Sequence, residues 1–498
     1  MRTPRSPAVP EHLTPVPTLK TPPNEETGWV ITGCTPLLYP CMKKFLILLA
    51  SAFLAATAFA LEPASDRIVV LISLDGLAHY YLDDPKAEMP TIRQLAAEGV
   101  RATDMKCSMP TVTWPNHTTL VTGVNPAKHG VIGNNYFDRE KGQSVTLITD
   151  PIFNKDEIVK APTIYDVAKA AGLKTAAIIW PASRGAKTLD WTVPDVFTDA
   201  LFQNYGTPSL FPEFKAANIP YEKQGEWCKS GDGESRDKMY VQMLNHVIRT
   251  HRPNLALVHL VEVDHVEHAH GPQSAEAYAA VKFADDCVRD VWSELQKSFP
   301  GKATLIVSAD HGFFPYQQMI QPNVLLRKEG LVKTDEKNKV VGGDVRVIGQ
   351  GGASFLYVLD QAHREAVIER VAAMFKDVEG VDLVIASKDF AKYGMADPER
   401  NPHMADVVLS AKSGYSFSDS LAGDLVVTPK SDDVKGTHGY DPNQPGMHAT
   451  FVAWGAGIRP HVKLGSIDNI DVAPTIAALL DLPFANVDGH TLESILAK

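Results

Sequence analysis

Three apolar runs of the chain each end close to an acidic residue, and histidines follow two of them. The runs and the residues after them are Ile68–Leu74 with Asp75, Leu255–Val261 with Asp264 and His268, and Ala303–Ser308 with Asp310 and His311. His438 comes much later in the chain. Because sites in open α/β sheets form at the carboxyl ends of strands, we expect these six side chains to converge there.

Three carboxylates and three imidazoles, without a cysteine, make a set of oxygen and nitrogen ligands. This set suits two catalytic Zn²⁺ ions better than a structural zinc, which usually takes thiolates. Two metals about 4 Å apart can hold the attacking and leaving oxygens of an in-line phosphoryl displacement. The sequence therefore predicts a phosphoryl-transfer enzyme with two Zn²⁺ ions as cofactors.

A threonine-rich stretch, Cys107–Asn135, could supply the nucleophile. Thr113 lies between two prolines, which predicts a rigid loop, and Asn116 could cap a helix that begins at His117. A hydroxyl just ahead of a helix N-terminus is well placed to attack an anion held there. Further on, Asn134 is a neutral donor that could bind a developing oxyanion. Taken alone, this composition is equally typical of an ordinary loop.

Five motifs in sequence order decide between these interpretations. They are SLDG at 73–76, PTVTWPNHTTLVTG at 110–123, DHVEHAHGP at 264–272, DHG at 310–312 and HGYD at 438–441. In these motifs the chain resembles the nucleotide pyrophosphatase/phosphodiesterase family of the alkaline-phosphatase superfamily. The resemblance covers nearly all of the chain after residue 60, and it implies an alkaline-phosphatase-like fold.

Carried over residue by residue, the resemblance implies a role for each motif. It implies that Thr113 is the nucleophile and that Asn134 binds a phosphoryl oxygen. It implies that the two zinc ions have these ligands: Asp75, Asp310, His311 and Thr113 for one, and Asp264, His268 and His438 for the other. A phospho-threonine ester would form and then be hydrolysed by water.

The chain departs from the family in one place that affects substrate choice. Where the family often has a tyrosine that helps to stack a nucleobase, this chain has His259. Trp114 stands where an aromatic residue usually follows the nucleophile. We therefore regard Trp114 and His259 as candidate substrate-binding residues. The expected substrate is a small phosphate ester, and nucleotides are among the candidates.

Alternating strands and amphipathic helices predict an α/β fold, with a mostly parallel central sheet covered by helices on both faces. The segment 313–430 is too long for a simple connection and is expected to be an inserted α+β subdomain. The catalytic core would then comprise residues 61–312 and 431–498. Residues 184–238 show no clear periodicity and are expected to be irregular. Val100–Met105 is expected to be a second strand, which leads into the nucleophile loop.

The first 60 residues differ from the rest of the chain. Residues 1–41 are rich in proline and threonine and are expected to be a non-native or disordered extension. Met42–Ala60 has the basic start, apolar run and small-residue end of a signal peptide cleaved after Ala60, with Met42 as the true start. This predicts a secreted or periplasmic protein without a further membrane span. In that compartment one disulfide could form among Cys107, Cys228 and Cys287.

The charge of the chain excludes one class of partner. Of 48 Lys and Arg residues and 59 Asp and Glu residues, five and three lie within 1–60, which leaves 43 basic against 56 acidic and a net charge of −13. An acidic surface argues against long nucleic acids, whose binding depends on neutralised phosphates.

Two alternatives to a phosphodiesterase or pyrophosphatase stay open. The same two-zinc site could serve a phosphomonoesterase or phosphonate hydrolase, because the core residues do not contact the non-transferred group. The fold could also belong to a non-catalytic metal-binding protein, although every ligand and the nucleophile are present. A sulfatase is disfavoured, because the nucleophile of that class comes from a Cys/Ser-x-Pro-x-Arg motif, whereas this chain has Thr113-Trp114-Pro115 followed by asparagine.

Overall fold

A computed structural model describes residues 63–148, 153–428 and 434–497. The predicted N-terminal extension and signal peptide, residues 1–60, lie outside the described residues. Within the described residues, no helix is both long and apolar enough to cross a membrane. Cys107 and Cys287 are both buried, and no disulfide joins them.

The described strands and α-helices follow in chain order. The strands are β1 (Ile68–Leu74), β2 (Val100–Ala102), β3 (Met105–Lys106), β4 (Asn135–Asp138), β5 (Gln143–Thr146), β6 (Thr175–Trp180), β7 (Trp191–Pro194), β8 (Leu255–Leu260), β9 (Ala303–Ser308), β10 (Phe314–Ile320), β11 (Val332–Thr334), β12 (Val340–Gly343), β13 (Val345–Gln350), β14 (Ala353–Val358), β15 (Val381–Ala386), β16 (Val407–Ala411), β17 (Gly414–Phe417), β18 (Val426–Val427), β19 (Lys435–Thr437), β20 (Phe451–Gly455), β21 (Val462–Leu464) and β22 (Ile467–Asp468). The helices are α1 (Pro90–Glu98), α2 (Thr113–Thr122), α3 (Pro126–His129), α4 (Lys155–Ile158), α5 (Ile164–Ala170), α6 (Asp199–Tyr205), α7 (Leu210–Ala216), α8 (Gln224–Ser230), α9 (Gly233–His251), α10 (Glu262–His270), α11 (Ala275–Ser298), α12 (Pro322–Lys328), α13 (Arg364–Phe375) and α14 (Val472–Leu479).

The central sheet has the strand order β21-β2-β20-β9-β1-β8-β6-β7. Strands β9, β1, β8, β6 and β7 are all parallel, and β20 runs antiparallel to both of its neighbours. Every residue of β1, β8 and β9 is buried, which requires cover on both faces of the sheet. The predicted α/β class with a mostly parallel sheet is therefore confirmed.

Strand β1 lies between β8 and β9, and the three strands end together. Ser73 is paired with His259 of β8 on one side and with Ser308 of β9 on the other. The residues that follow these strands therefore leave the sheet side by side, as the apolar runs predict.

The segment 313–430 carries an antiparallel sheet of its own, with the order β13-β14-β16-β15. Val371 and Phe375 of α13 share an apolar cluster with Leu409 of this sheet. The opposite cluster joins Phe355 to Trp114 and Ile132, which lie outside the segment. The predicted boundaries of an insertion at 313 and 430 stay a prediction.

Two local predictions are wrong. Residues 184–238, expected to be irregular, contain β7 and the helices α6, α7 and α8. Their aromatic residues pack on one another, with ring centroids of Phe211 and Tyr221 5.2 Å apart, so short helices form without a long periodic pattern. The expected strand from Val100 to Met105 is divided between β2 and β3, which pair with different partners.

A buried histidine, His129, ties α2 to the loop that carries Asn134. Its Nε2 lies 3.1 Å from Thr119 Oγ1 of α2, and its Nδ1 accepts a hydrogen bond of 3.2 Å from the Val131 N–H. A ring that accepts at Nδ1 is neutral, and burial lowers its pKa to about 3. The neutral imidazole therefore fixes the start of the Asn134 loop.

We predict that protonation of His129 contributes to acid unfolding. Its pKa is about 3 in the folded protein against 6.5 for an exposed ring, so its stabilising contribution is present above pH 6.5 and is lost as the pH falls. Between pH 6.5 and 5 the loss is roughly 2 kcal/mol. In urea unfolding, the free energy of unfolding of His129→Gln should fall less than that of wild type when the pH is lowered from 6.5 to 5. Equal losses would contradict the prediction, and the exposed-residue variant His461→Gln should match wild type.

Candidate active site and metal centre

The structure brings five of the six predicted ligand residues into two adjoining groups of donor atoms, and the sixth lies beside them. Asp75, Asp264 and His311 form one group, in which the ligand atoms lie within 4.8 Å of one another. Asp264 also belongs to the second group, whose other members are two histidines, His268 and His438. Asp310 adjoins the first group, because its Oδ2 lies 3.1 Å from the Nε2 of His311.

Backbone hydrogen bonds hold the three strand ends in register at this place. The Asp75 N–H donates to the Leu260 carbonyl of β8 at 2.9 Å, and the Asp264 N–H donates to the Asp75 carbonyl at 3.1 Å. The Gly76 N–H donates to Asp310 Oδ1 at 3.2 Å. Gly76 has a φ of +76°, and a Cβ there would lie 2.9 Å from the Phe313 ring, so only glycine fits this turn.

Each predicted histidine ligand is oriented by a backbone carbonyl at its Nδ1. The Nδ1 atoms of His268, His311 and His438 lie 3.1, 3.2 and 3.0 Å from the carbonyl oxygens of Gly436, Gly312 and Thr111. An Nδ1–H that donates to a carbonyl leaves the lone pair on Nε2, where a metal would bind. The Nε2 atoms of His268 and His438 lie 3.4 and 3.5 Å from Asp264 Oδ1.

Four buried polar atoms of the predicted ligand residues have no hydrogen-bond partner within the described residues. They are Asp75 Oδ1, Asp264 Oδ1, Asp310 Oδ2 and His311 Nε2. Buried polar atoms are nearly always paired, and an unpaired one costs about 1–3 kcal/mol. Four such atoms together match the ligand set of divalent cations, so these residues fit the metal ions that the motifs imply.

Burial is the main cause of the pKa shifts of four predicted ligands. Burial and the nearby carboxylate of Asp264 raise the pKa of Asp75, and burial and Asp75 raise that of Asp310. Burial and neighbouring imidazoles lower the pKa of His311, and burial lowers the pKa of His438 to about 4. His311 and His438 are thus neutral, as metal ligands must be, and the crowded carboxylates favour a cation.

Thr113 lies at the beginning of a helix rather than in a loop ahead of one. Helix α2 starts at Thr113, with Val112 as its N-cap, so Asn116 does not cap it as predicted. Asn116 instead accepts a hydrogen bond of 2.7 Å from the Ser108 N–H and donates to the Pro110 carbonyl at 3.0 Å. The side chain of Asn116 therefore closes the turn that leads into the helix.

The side chain of Asn134 is held at the same helix N-terminus. Its Oδ1 accepts a hydrogen bond of 2.9 Å from the Trp114 N–H, and the backbone N–H of Asn134 donates to Gln350 Oε1 at 3.1 Å. Because the oxygen is engaged by Trp114, the amide nitrogen of Asn134 is left as a donor. This orientation is the one that the proposed role of Asn134 requires.

His259 contacts a predicted ligand. Its Nε2 lies 2.7 Å from Asp75 Oδ2, its Nδ1 lies 3.2 Å from the Ile179 carbonyl, and it is 2% exposed. Trp114 is 1% exposed and packs in an apolar cluster. Neither ring is exposed for stacking on a base in this structure, and the substrate-binding role of both stays a prediction.

One more residue, which the motifs did not single out, is a neighbour of the predicted ligands. His117 is fully buried, its Nδ1 lies 2.9 Å from the Thr113 carbonyl, and the same atom lies 3.5 Å from Asp310 Oδ2. Its ring centroid is 4.3 Å from that of His259. The only sequence signal was its spacing of four residues from Thr113, which brings the two together on one helix face.

A family model decides the assignment. The model described as "Type I phosphodiesterase / nucleotide pyrophosphatase" matches residues 69–441, which include the six predicted ligands and Thr113. The chain belongs to this family. The roles of the individual residues within the matched range stay predictions.

Individual relatives are distant. A venom phosphodiesterase of Naja atra is 25% identical over 424 residues, covering 84% of this chain and 45% of its own length. A pyrophosphatase/phosphodiesterase of Schizosaccharomyces pombe, not characterised further, is 26% identical over 437 residues and is covered to 79%. The chain thus spans about half the length of the venom relatives that it matches.

Solved structures support the fold. Murine ectonucleotide pyrophosphatase/phosphodiesterase 5, solved as an inactive variant in complex with AMP, has a TM-score of 0.65 at 20% identity and covers 86% of this chain. The human protein of the same name gives 0.65 at 21% identity and 87% coverage. Both chains are matched over their whole length, so this phosphodiesterase family shares the architecture of this chain.

We predict that His259 tunes metal binding through Asp75. His259→Phe keeps a buried ring but removes the nitrogen beside Asp75 Oδ2, so zinc affinity should fall roughly 10- to 100-fold. Competition with a chelator of known affinity measures this. His461→Phe removes an exposed imidazole and should bind zinc as wild type does. An unchanged affinity in His259→Phe would show that Asp75 needs no support from this ring.

Proposed function

We propose that this protein is a two-zinc phosphodiesterase or nucleotide pyrophosphatase that works through a phospho-threonine intermediate. The observation that carries the proposal is the set of contacts that the backbone around Thr113 makes with neighbours of the proposed ligands. Two residues before it, the Thr111 carbonyl contacts His438, and its own carbonyl contacts His117, which neighbours Asp310. These contacts support a role for the Thr113 hydroxyl as the nucleophile near the proposed metal ligands.

The proposed zinc ligands are those of the sequence prediction. Asp75, Asp310 and His311 would hold one ion together with the Thr113 hydroxyl, and Asp264, His268 and His438 would hold the other. When bound, two Zn²⁺ ions supply Lewis-acid charge that lowers the pKa of a hydroxyl and stabilises charge on phosphoryl oxygens. The donor set and the unpaired oxygens described above support this assignment, and this family's metal-dependent hydrolysis requires such a site.

The protein side chains have separate roles in the proposed reaction. The Thr113 hydroxyl attacks phosphorus in line with the leaving oxygen, and the ester it forms is then hydrolysed by water. The amide nitrogen of Asn134 donates to a phosphoryl oxygen, and the start of α2 adds backbone N–H groups to the same anion. His259 and His117 do not contact the substrate in this scheme but hold Asp75 and the Thr113 turn.

The substrate class proposed here is a small diester or pyrophosphate, with a nucleotide as one possible form. The relatives are named phosphodiesterases and pyrophosphatases, and AMP was bound by the murine structure. The net charge of −13 outside residues 1–60 supports a small substrate over a long nucleic acid. The base-binding surface would differ from that of the family, because His259 is engaged by Asp75.

We further propose that the protein is exported to the periplasm or secreted. The sequence of residues 42–60 supports this, as it has the three regions of a signal peptide. Secretion would also give a zinc enzyme access to extracellular phosphate esters.

The nucleophile is tested by Thr113→Ala. Loss of the attacking oxygen should lower kcat by roughly 10³-fold or more, while bound zinc falls little because Asp and His ligands remain. Thr122→Ala makes the same change at the far end of α2, where the hydroxyl donates to the Thr118 carbonyl, and should keep full activity. A fully active Thr113→Ala protein would refute the proposed nucleophile.

The substrate class is tested with two chromogenic esters. The ratio of kcat/KM for bis-(p-nitrophenyl) phosphate to that for p-nitrophenyl phosphate should favour the diester. EDTA should abolish both activities and added Zn²⁺ should restore them, because the carboxylate cluster is proposed to act only with its cations. A preference for the monoester would replace the diesterase by a phosphomonoesterase on the same site.

A further inference from the structure

A second group of potential metal ligands lies outside the candidate active site. It consists of Glu213, His246 and His251, whose ligand atoms lie within 4.8 Å of one another. Glu213 is on α7, and the two histidines are on the last turns of α9. We propose that these three residues form a third metal site, which takes Zn²⁺ and joins α7 to α9.

The geometry of the group is convergent. The Nε2 atoms of His246 and His251 lie 2.8 and 2.7 Å from the same carboxylate oxygen, Glu213 Oε2. Two imidazoles and one carboxylate are a zinc-binding set found in proteins, with water in the fourth position. Around zinc, such ligands lie about 3.3 Å apart, so the contacts must open by roughly half an ångström. Glu213 has the freedom for this, since its side chain is 28% exposed.

Aromatic neighbours hold both rings in place. Trp191 stacks on His251, with centroids 4.6 Å apart and an interplanar angle of 22°. Phe214, the residue after Glu213, meets the edge of His246 at 5.7 Å and 77°. A ring wedged by an aromatic neighbour loses little further freedom when it binds an ion, which favours binding. The histidine side chains are only 11% and 18% exposed.

The group is separate from the candidate active site. Helix α9 begins beside that site, where Asp237 accepts hydrogen bonds from the N–H groups of Val261 and Glu262. The helix then runs 19 residues, or about 28 Å, to its end at His251. His251 precedes β8, whose opposite end leads to Asp264. The third site thus lies near the amino-terminal end of β8, whereas the candidate active site lies at the carboxyl-terminal end.

The simpler alternative is a hydrogen-bonded hub, in which Glu213 accepts from two imidazoles and no ion binds. Zinc content distinguishes the two. The purified protein is treated with chelator, dialysed against excess Zn²⁺ and then washed, and bound zinc is measured by inductively coupled plasma mass spectrometry. Glu213→Gln keeps the shape and an accepting oxygen but loses the carboxylate ligand, so it should hold one ion fewer per chain than wild type.

Two further variants make the comparison specific. His251→Gln removes a ligand from the other helix and should also hold one ion fewer. His363→Gln is the matched control, because His363 pairs with a single carboxylate, Asp360, at 2.8 Å without a second imidazole. It should bind as much zinc as wild type. Esterase activity should be unchanged in all three variants, since none of the substituted residues is in the catalytic site.

Because the readout is a difference between variant and wild type, it does not depend on the proposed function. Equal zinc content in wild type, Glu213→Gln and His251→Gln would overturn the third site and leave the hydrogen-bonded hub. If both variants fail to fold, the third site is tested on the wild-type protein alone by chemical modification. Zinc added to the chelated protein should slow carbethoxylation of His246 and His251 together by diethyl pyrocarbonate, as read by peptide mass spectrometry. Rates that zinc leaves unchanged would overturn the proposal.

Discussion

The parallel pairing of β1 with β8 and β9 is the constraint on which the candidate active site depends. It sets Asp75, Asp264 and Asp310 side by side at one edge of the sheet, where burial and mutual repulsion oppose three negative charges. The free energy of sheet formation, from fully buried apolar strands, holds the carboxylates together despite that repulsion. Such an arrangement is stable as a binding site for cations, and much less so without them.

The motifs also depend on one another, because two of the three imidazoles are oriented by backbone carbonyls from distant parts of the chain. The Nδ1 of His268 contacts the carbonyl of Gly436, two residues before His438. The Nδ1 of His438 in turn contacts the Thr111 carbonyl, two residues before Thr113. The residues between the predicted ligands and nucleophile are therefore not spacers. They supply the carbonyl groups that set the tautomer and direction of each ring.

The convergence of Asp75, Asp264 and Asp310 could be predicted because they follow strands, and buried strands are visible as short apolar runs. The role of His259 was not visible, because its partner Asp75 is far away in sequence and a strand residue shows no sign of its cross-strand contact. The start of α2 was misplaced for a local reason. Proline at residue 115 suggested a loop, but a proline is tolerated in the first turn of a helix, where its missing N–H has no partner to lose. Residues 184–238 were misjudged because three short helices packed by aromatic side chains leave no long period.

The position of the donor Asn134 shows how far the site extends beyond its motifs. Three separate parts of the chain fix this residue: α2 through the Trp114 N–H, the β13 strand through Gln350, and the turn held by His129. Gln350 also donates to the Asn135 carbonyl at 2.6 Å. A single side chain from the segment 313–430 therefore forms hydrogen bonds with two successive residues, Asn134 and Asn135. A donor aimed at a transition state must be fixed within a few tenths of an ångström, which one element cannot ensure. The long segment between Asp310 and His438 therefore does more than cover the core, because it carries part of the support that the proposed oxyanion donor requires.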